Sequence, residues 1–514
     1  MTALRIDMCR LWCAALVGLG VFVPIAVRAD EAMALKVEAI APALEAYIAK
    51  GMADFDVPGL AIGIVTDDRL VYGKGFGVRR KGGEPVTTGT VFQIGSNTKA
   101  FLATAMAIGV DRDLLAWDDR IVDRYPGFQL RDHWVTGEFR LLDILAQRSG
   151  LPSLANDMYG MLGADVTQKI ASLRHVEPVT SFRAAFSYTN ITHLVAARIV
   201  AAAFGVPDWS AVLEKELLAP LGMTDTTWTM EAIEAAPDHA EGYLWAPAGS
   251  VAVGFNPFMP YAYPGAGEIN STIDDMQHWL RLQLGDGLFE GKRLVSSESL
   301  ATTLLPRVPL RKGMAYAMGW MLQSTPNGEV TWHNGGTIAF GSYVGLARDH
   351  DVGVVVLTNQ AHVGLPDAIG RWVLDRLLDN PEVDYAEADL AATRAGDEAM
   401  RKMFERPADI RSAPSLAPLA GAWRNPVFGE AEIAIDGGTP RIALATGAML
   451  RLDPWDGDIF TIGLVPEGDM AVLAESFGTL PLGFAQFQIG PSGAYDRLAL
   501  DFTMEPQEYV FERE

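Results

Sequence analysis

Three short stretches carry side chains whose types and spacing could do chemistry. Ser96 and Lys99 stand three residues apart at the head of an apolar run, Ala100-Phe101-Leu102-Ala103-Thr104-Ala105-Met106. If that run is a helix, positions i and i+3 share a face. A hydroxyl then sits beside an amine at the positive end of a helix dipole. A Ser hydroxyl is a weak nucleophile until a neighbouring base takes its proton. A Lys can be that base only if burial lowers its pKa from about 10.4. The run after Lys99 is apolar nearly all round, as in a buried helix. Tyr188-Thr189-Asn190 comes about ninety residues later, and His333-Asn334-Gly335-Gly336 comes last. Each has a plain structural reading: Ser96 and Asn190 as helix caps, Tyr188 as a packed aromatic, His333 to Gly336 as a turn. Chance explains the three together, in this order, poorly.

The elements that must position these residues follow from the pattern. Ala32 to Phe55 reads as an amphipathic helix. Leu60 to Val65 and Arg69 to Val78 read as a β-hairpin around Thr66-Asp67-Asp68. The glycines of Gly73-Lys74-Gly75-Phe76-Gly77 sit inside a strand and open no helix. They fit close backbone approach rather than dinucleotide binding. Helices are predicted over Leu141 to Leu145, Ile191 to Phe204, Glu214 to Leu221 and Ser271 to Leu284, with mixed helix and loop over 153–180. Asn256 to Gly267, rich in Pro, Tyr and Gly, reads as a surface loop. Strands return at Met318 to Gln323, Val330 to Trp332, Ser342 to Ala347 and Val352 to Thr358, and Ile369 to Leu378 is a helix. Strands at both ends with helices between predict an α+β domain: one antiparallel sheet flanked by helices, with an all-helical insertion.

Residues 381–415 read as a helical linker. From residue 416 the texture changes to short alternating strands split by Gly, Pro and Asp, an all-β module of about 100 residues. That module has 15 acidic residues, 5 arginines and no His, Cys or Lys. Its Asp453, Asp456 and Asp458 do not match a calcium loop and read as a turn. The predicted division is 1–29 signal segment, 30–380 catalytic domain, 381–415 linker and 416–514 β-barrel domain.

Composition narrows the function. The chain has 514 residues and a formal net charge of −23. A surface this acidic speaks against nucleic acid, which needs a basic footprint, and against anionic membranes. Arg5 and Arg10, the apolar stretch Leu11 to Val27, and Val27-Arg28-Ala29 read as a secretory signal cleaved before Asp30, with a retained N-terminal membrane anchor as the alternative. The expected mature protein is periplasmic or secreted and keeps no membrane span. Both cysteines, Cys9 and Cys13, fall in that segment. Disulfides, Cys nucleophiles and thiolate metal sites are therefore not expected. The remaining histidines show no metal-ligand spacing, and no metal or cofactor is predicted. No Gly-x-Ser-x-Gly elbow, His-Glu-x-x-His motif or phosphate loop is present.

Phe92-Gln93-Ile94-Gly95-Ser96-Asn97-Thr98-Lys99 resembles the nucleophile motif of the serine β-lactamase and penicillin-binding protein superfamily. The branch it resembles is related to class C β-lactamases and to D-aminopeptidase-type and esterase-type hydrolases. Ser149-Gly150-Leu151-Pro152, Pro220-Leu221-Gly222-Met223, and Ser271-Thr272 with Asp275-Met276 resemble recurrent segments of the same family. The resemblance covers about residues 36–378. The module with Gly421-Ala422-Trp423-Arg424-Asn425-Pro426 resembles the lipocalin-like barrel joined to some of these hydrolases. The resemblance implies that Ser96 forms an acyl-enzyme and that Lys99 and Tyr188 share the proton work. It implies that Asn190 bonds Lys99 and the substrate amide, and that the N–H groups of Ser96 and Gly336 bind the oxyanion. His333 completes the third motif, with Asn334 and Gly335 on the substrate-binding edge. Typical β-lactamases have Lys-Thr-Gly where this chain has His333-Asn334-Gly335. A permanent cation is replaced by a group mostly neutral near pH 7.

The resulting expectation is a secreted serine hydrolase acting on a small-molecule or peptide substrate. That substrate would be a peptide or amide, D-amino-acid peptides included, or an ester. A homo-oligomer is compatible with it. Two other readings compete: a β-lactamase or penicillin-binding activity, which His333 disfavours, and a non-catalytic binding protein, which the joint presence of Ser96, Lys99, Tyr188 and Asn190 disfavours.

Overall fold

A computed structural model describes residues 29–361, 363–478 and 480–514. The segment read as a secretory signal lies, up to residue 28, outside the described residues, as does His362. The chain begins with a long helix, α1 (Ala29–Phe55), followed by a hairpin of β1 (Gly59–Thr66) and β2 (Arg69–Gly77). The sheet resumes more than two hundred residues later with β3 (Val308–Arg311), β4 (Met314–Tyr316), β5 (Met321–Thr325), β6 (Gly328–Gly336), β7 (Gly341–Ala347) and β8 (Val352–Thr358). Among the described residues these strands form an eight-stranded sheet in the order β2-β1-β8-β7-β6-β5-β4-β3. The register pairs Ile62 with Val356, Val344 with Val355 and His333 with Val344. Every residue of β1, β7 and β8 is buried. Apolar runs of this kind need cover on both faces.

One face carries α1 and a helix at the far end of the domain, α6 (Leu365–Leu377), in a core with Leu44, Ile62, Tyr343, Val354 and Val373. The other face carries the inserted helices. These include α2 (Thr98–Asp111), α3 (Asp157–Met161), α4 (Asn190–Phe204) and α5 (Ile273–Leu284). Their core joins Phe101, Met106, Leu194, Trp279 and Leu357, with Phe101 stacked on Trp279 at 3.8 Å. Gly75 behaves as its strand position suggested: a Cβ there would lie 2.0 Å from the Val86 carbonyl oxygen.

Four local expectations are corrected. The helix read as Glu214 to Leu221 starts at Trp209, where Asp208 accepts the Ala211 N–H and caps it. The sheet has two strands more than the pattern indicated, β3 and β4. They form its edge, where Pro309 and the turn at Gly313 mask the alternation. His333 to Gly336 is strand rather than turn. Asn256 to Gly267 is not a surface loop: Asn256, Tyr263 and Ala266 are buried. Its Pro and Gly break regular structure, but its aromatic rings fill space beside α2 and α3.

The segment after α6 holds a helix, α7 (Tyr385–Met403), capped by Asp384 and resting on the first domain through buried Ala386 and Leu390. Beyond it come β9 (Gly421–Asn425), β10 (Gly429–Asp436), β11 (Thr439–Leu444), β12 (Met449–Asp456), β13 (Ile459–Leu464), β14 (Gly483–Ile489), β15 (Tyr495–Phe502) and β16 (Glu508–Arg513). They close into a barrel in sequence order. Along β10, Ala431 and Ile433 point inward while Glu430 and Glu432 face out, the period-2 pattern of a barrel wall. Trp423, Phe428, Phe460, Phe487 and Phe511 fill the interior.

Candidate active site

The stretch before α2 is held from two sides. Phe92-Gln93 pairs with Asn270-Ser271, and the Ile94 N–H donates to the Ile269 carbonyl at 2.9 Å. Gly95–Asn97 then makes a single 3-10 turn that runs into α2 at Thr98. Three residues per turn place i and i+3 directly over each other, so Ser96 stands above Lys99. Ser96 is half-buried, while Lys99 is fully buried.

Lys99 Nζ makes three polar contacts: Ser96 Oγ at 3.0 Å, Asn190 Oδ1 at 2.8 Å and the Ala266 carbonyl oxygen at 2.8 Å. Two of these partners can only accept, whereas the hydroxyl can also donate. A neutral amine satisfies the set: its two hydrogens go to Asn190 and Ala266, and its lone pair faces the Ser96 hydroxyl. Burial favours that state, lowering the Lys99 pKa to about 7 against the opposing pull of Asp157 and Glu268.

Behind Lys99 lies a buried charge relay that spacing did not reveal. Asn190 Nδ2 donates to Asp157 Oδ2 at 2.6 Å. Burial raises the Asp157 carboxyl to about 7, with Asn190, Lys99 and Lys169 opposing. Lys169 is also buried; its ammonium donates to the Ala262 carbonyl and sits 4.0 Å from the centre of the Tyr263 ring. Glu268, likewise buried, accepts the N–H groups of Gly265 and Gly267 and the Trp209 indole. It thereby shapes the backbone that presents Ala266 O to Lys99.

Tyr188 covers the other side of the pair. Its ring centre is 4.6 Å from Lys99 Nζ, and its hydroxyl is a hydrogen-bond partner of Ser96. Burial and the Asp157 charge push its phenol well above the ordinary value, outweighing the Ser96 bond. Gln147 anchors this segment. Its backbone carbonyl accepts the Ser187 N–H at 2.8 Å and its side-chain oxygen accepts the Thr189 N–H at 2.8 Å.

His333 lies beyond Tyr188, at 6.3 Å between ring centres. Its Nδ1 contacts the Asn334 carbonyl at 2.5 Å, which fixes the proton there, and its Nε2 accepts from the Tyr316 hydroxyl at 3.1 Å. Burial and Lys99 lower its pKa to about 3, so it is neutral through the working range. Gly335 is pinned against the nucleophile turn: a Cβ there would meet the Ile94 carbonyl oxygen at 1.9 Å. Ser342 Oγ ties the two together, donating to Ile94 O at 2.7 Å and accepting from Asn97 Nδ2 at 2.7 Å. Gly336 is exposed and its backbone lies against Gly95. Gly335→Ala is expected to push β6 off this turn. The predicted cost is about 1–3 kcal/mol of stability, read by thermal melting, and about 10- to 100-fold in acylation rate.

The structure therefore gathers Ser96, Lys99, Tyr188, Asn190 and Gly336 around one point, with His333 and Gly335 close behind. Asn334 departs from its expected place. Its side chain donates to Asp367 Oδ1 at 2.8 Å on α6, the far face of the sheet. Adjacent strand residues point to opposite faces, so His333 and Asn334 cannot both face the cleft. Asp157, Lys169 and Glu268 were missed. Asp157 follows Asn156 and Lys169 follows Gln168, so nothing in their local sequence separates them from solvated helix residues.

An antiparallel sheet with a helical insertion, and a buried Lys paired to a Ser at their junction, define a serine hydrolase of the β-lactamase and transpeptidase type. The chain matches the Beta-lactamase family over residues 44–379 and belongs to that family. It is 25% identical over 469 residues to an unguisins hydrolase, ungD′, of Aspergillus campestris, covering 85% of each chain. Its fold is similar to the octameric penicillin-binding protein homologue from Pyrococcus abyssi, with a TM-score of 0.60, 23% identity and coverage of 91% of this chain and 99% of the other. It is also similar to a class C beta lactamase from Rhodobacter sphaeroides, with a TM-score of 0.54, 23% identity and coverage of 69% and 99%.

Proposed function

We propose that the protein is a secreted or periplasmic hydrolase that works through an acyl-enzyme on Ser96 and cleaves a peptide, amide or ester. One observation carries this reading: Lys99 Nζ is 3.0 Å from Ser96 Oγ, with two carbonyl-type oxygens occupying its other bonds. Lys99 takes the Ser96 proton as Oγ attacks the substrate carbonyl. The tetrahedral oxyanion rests on the N–H groups of Ser96 and Gly336, each such donor being worth about 10²- to 10³-fold in rate. The proton passes through Lys99 and Tyr188 to the leaving amine or alkoxide, and the carbonyl re-forms as an ester on Ser96. A water then gives its proton to the same groups and releases the acid.

A neutral His333, with both nitrogens already bonded, supplies no cation for a substrate carboxylate. This favours substrates without an obligatory carboxylate beside the scissile bond, and it disfavours β-lactams. The hydrolase name of the Aspergillus relative supports turnover rather than mere binding. Self-association is compatible with the reading, since the similar Pyrococcus protein is octameric.

Intact mass after exposure to a fluorophosphonate, and separately to a penicillin, tests the proposal. The expected result is rapid single labelling by the fluorophosphonate and slow or no labelling by the penicillin. No fluorophosphonate adduct on folded protein would overturn the acyl-enzyme reading. Rapid opening of the penicillin ring, followed by its absorbance, would overturn the assigned specificity.

A further inference from the structure

The barrel and the catalytic domain meet at α3, which serves both. One side of this short helix presents Asp157 to Asn190. The other side plugs one end of the barrel: Met158, Tyr159, Met161 and Leu162 belong to the barrel's own core, and the Tyr159 ring lies 4.9 Å from Phe428. Polar groups from the last barrel hairpin clamp the start of the helix. Glu505, 5% exposed, accepts the Met158 N–H on Oε1 and the hydroxyl of Tyr509 on Oε2. Gln507 Nε2 donates to Asn156 Oδ1 at 2.5 Å, and the Tyr509 oxygen, whose proton goes to Glu505, lies 3.0 Å from the same atom. Asn156 holds a left-handed backbone with φ +60. A single helical turn is not stable alone, and its first N–H groups lack partners inside the helix. Glu505 supplies one from a residue 347 positions away.

We propose that Glu505, with Gln507 and Tyr509, is a positioning residue for catalysis: the barrel hairpin fixes α3 so that Asp157 meets Asn190 and Asn190 meets Lys99. The barrel is thus a structural part of the active site. The chain of contacts is continuous, from Glu505 to Met158 N, along α3 to Asp157, then to Asn190 Nδ2, Asn190 Oδ1 and Lys99 Nζ. Asp157 and Tyr509 are the titratable groups beside Glu505, with Tyr263, Lys169 and Lys99 beyond Asp157. This inference rests on the reading of Lys99 as the base for Ser96.

The test measures the fluorophosphonate labelling rate of the full chain against pH by intact mass. Glu505→Ala is expected to label about 10- to 100-fold more slowly, the cost of an ångström-scale misplacement. The acid limb of its profile should move to lower pH, because a displaced Asp157 no longer helps to hold the proton on Lys99. Glu505→Gln keeps an oxygen for the Met158 N–H and should recover most of the rate. Met470→Ala loosens the same interface near Gly163 without touching the clamp, and should leave the limb in place. If Glu505→Ala does not fold, Gln507→Ala, which removes one bond to Asn156, makes the same comparison. A clamp variant with the parent rate and limb, or one that slows without moving the limb, would overturn the positioning role. Failure of the parent protein to label at all would instead remove the Ser96–Lys99 reading beneath it.

Discussion

Ser96→Ala is expected to abolish hydrolysis, lowering kcat by about 10⁴-fold or more, the scale seen when a serine nucleophile is deleted. It should also remove every fluorophosphonate adduct. The fold should survive, since Ser96 is half-exposed within a 3-10 turn and its loss leaves Lys99 bonded to Asn190 and Ala266. Thermal melting should therefore move little while activity disappears. Residual activity above about one part in a hundred, with an unshifted melt, would mean that Ser96 is not the nucleophile. Among the described residues no other Ser hydroxyl is hydrogen-bonded to a Lys amine.

Lys99→Met carries the second largest effect. The thioether chain fills nearly the same volume but has no base, and loss of general-base catalysis costs about 10²- to 10⁴-fold. Asn190 Oδ1 and the Ala266 carbonyl lose a donor, a cost of about 1–3 kcal/mol, offset in part by removal of a buried amine. The pH profile of the parent protein separates Lys99 from Tyr188 as the base. Lys99 is protonated and inert below its pKa and free to accept a proton above it. With that pKa lowered to about 7, acylation should rise with pH through a midpoint near 7. A tyrosinate base would place the rise far higher, because burial raises the Tyr188 phenol. The His333 ring, lowered to about 3, should leave no step between pH 5 and 8. A midpoint above pH 9 would transfer the base role to Tyr188.

The catalytic preference of this site therefore depends on burial more than on residue identity. Asp157, Lys99 and Lys169 are three buried ionisable groups, and desolvation moves each toward its neutral form. A Ser and a Lys three residues apart on an exposed helix would have an ammonium beside a hydroxyl and no base.

By itself the sequence determined what local geometry controls. The Ser96–Lys99 spacing forced one face whether the turn was α or 3-10. The period-2 alternation after residue 416 dictated an all-β module, and apolar strands at the two ends of the first domain required a common sheet. The same period also implied, had it been applied to β6, that Asn334 turns away from His333. Tertiary structure alone decided the rest. Whether Asp157 is a solvated helix residue or a buried partner of Asn190 depends on packing by Tyr263, far away in the chain, and by Lys169 on a neighbouring helix. Whether Asn256 to Gly267 is surface or wall depends on what covers it. Glu505 looks like one acid among 15 in an acidic module, until folding brings it against Met158 N. Propensity and periodicity act over a few residues, whereas desolvation depends on everything that surrounds a group once the chain has closed upon it.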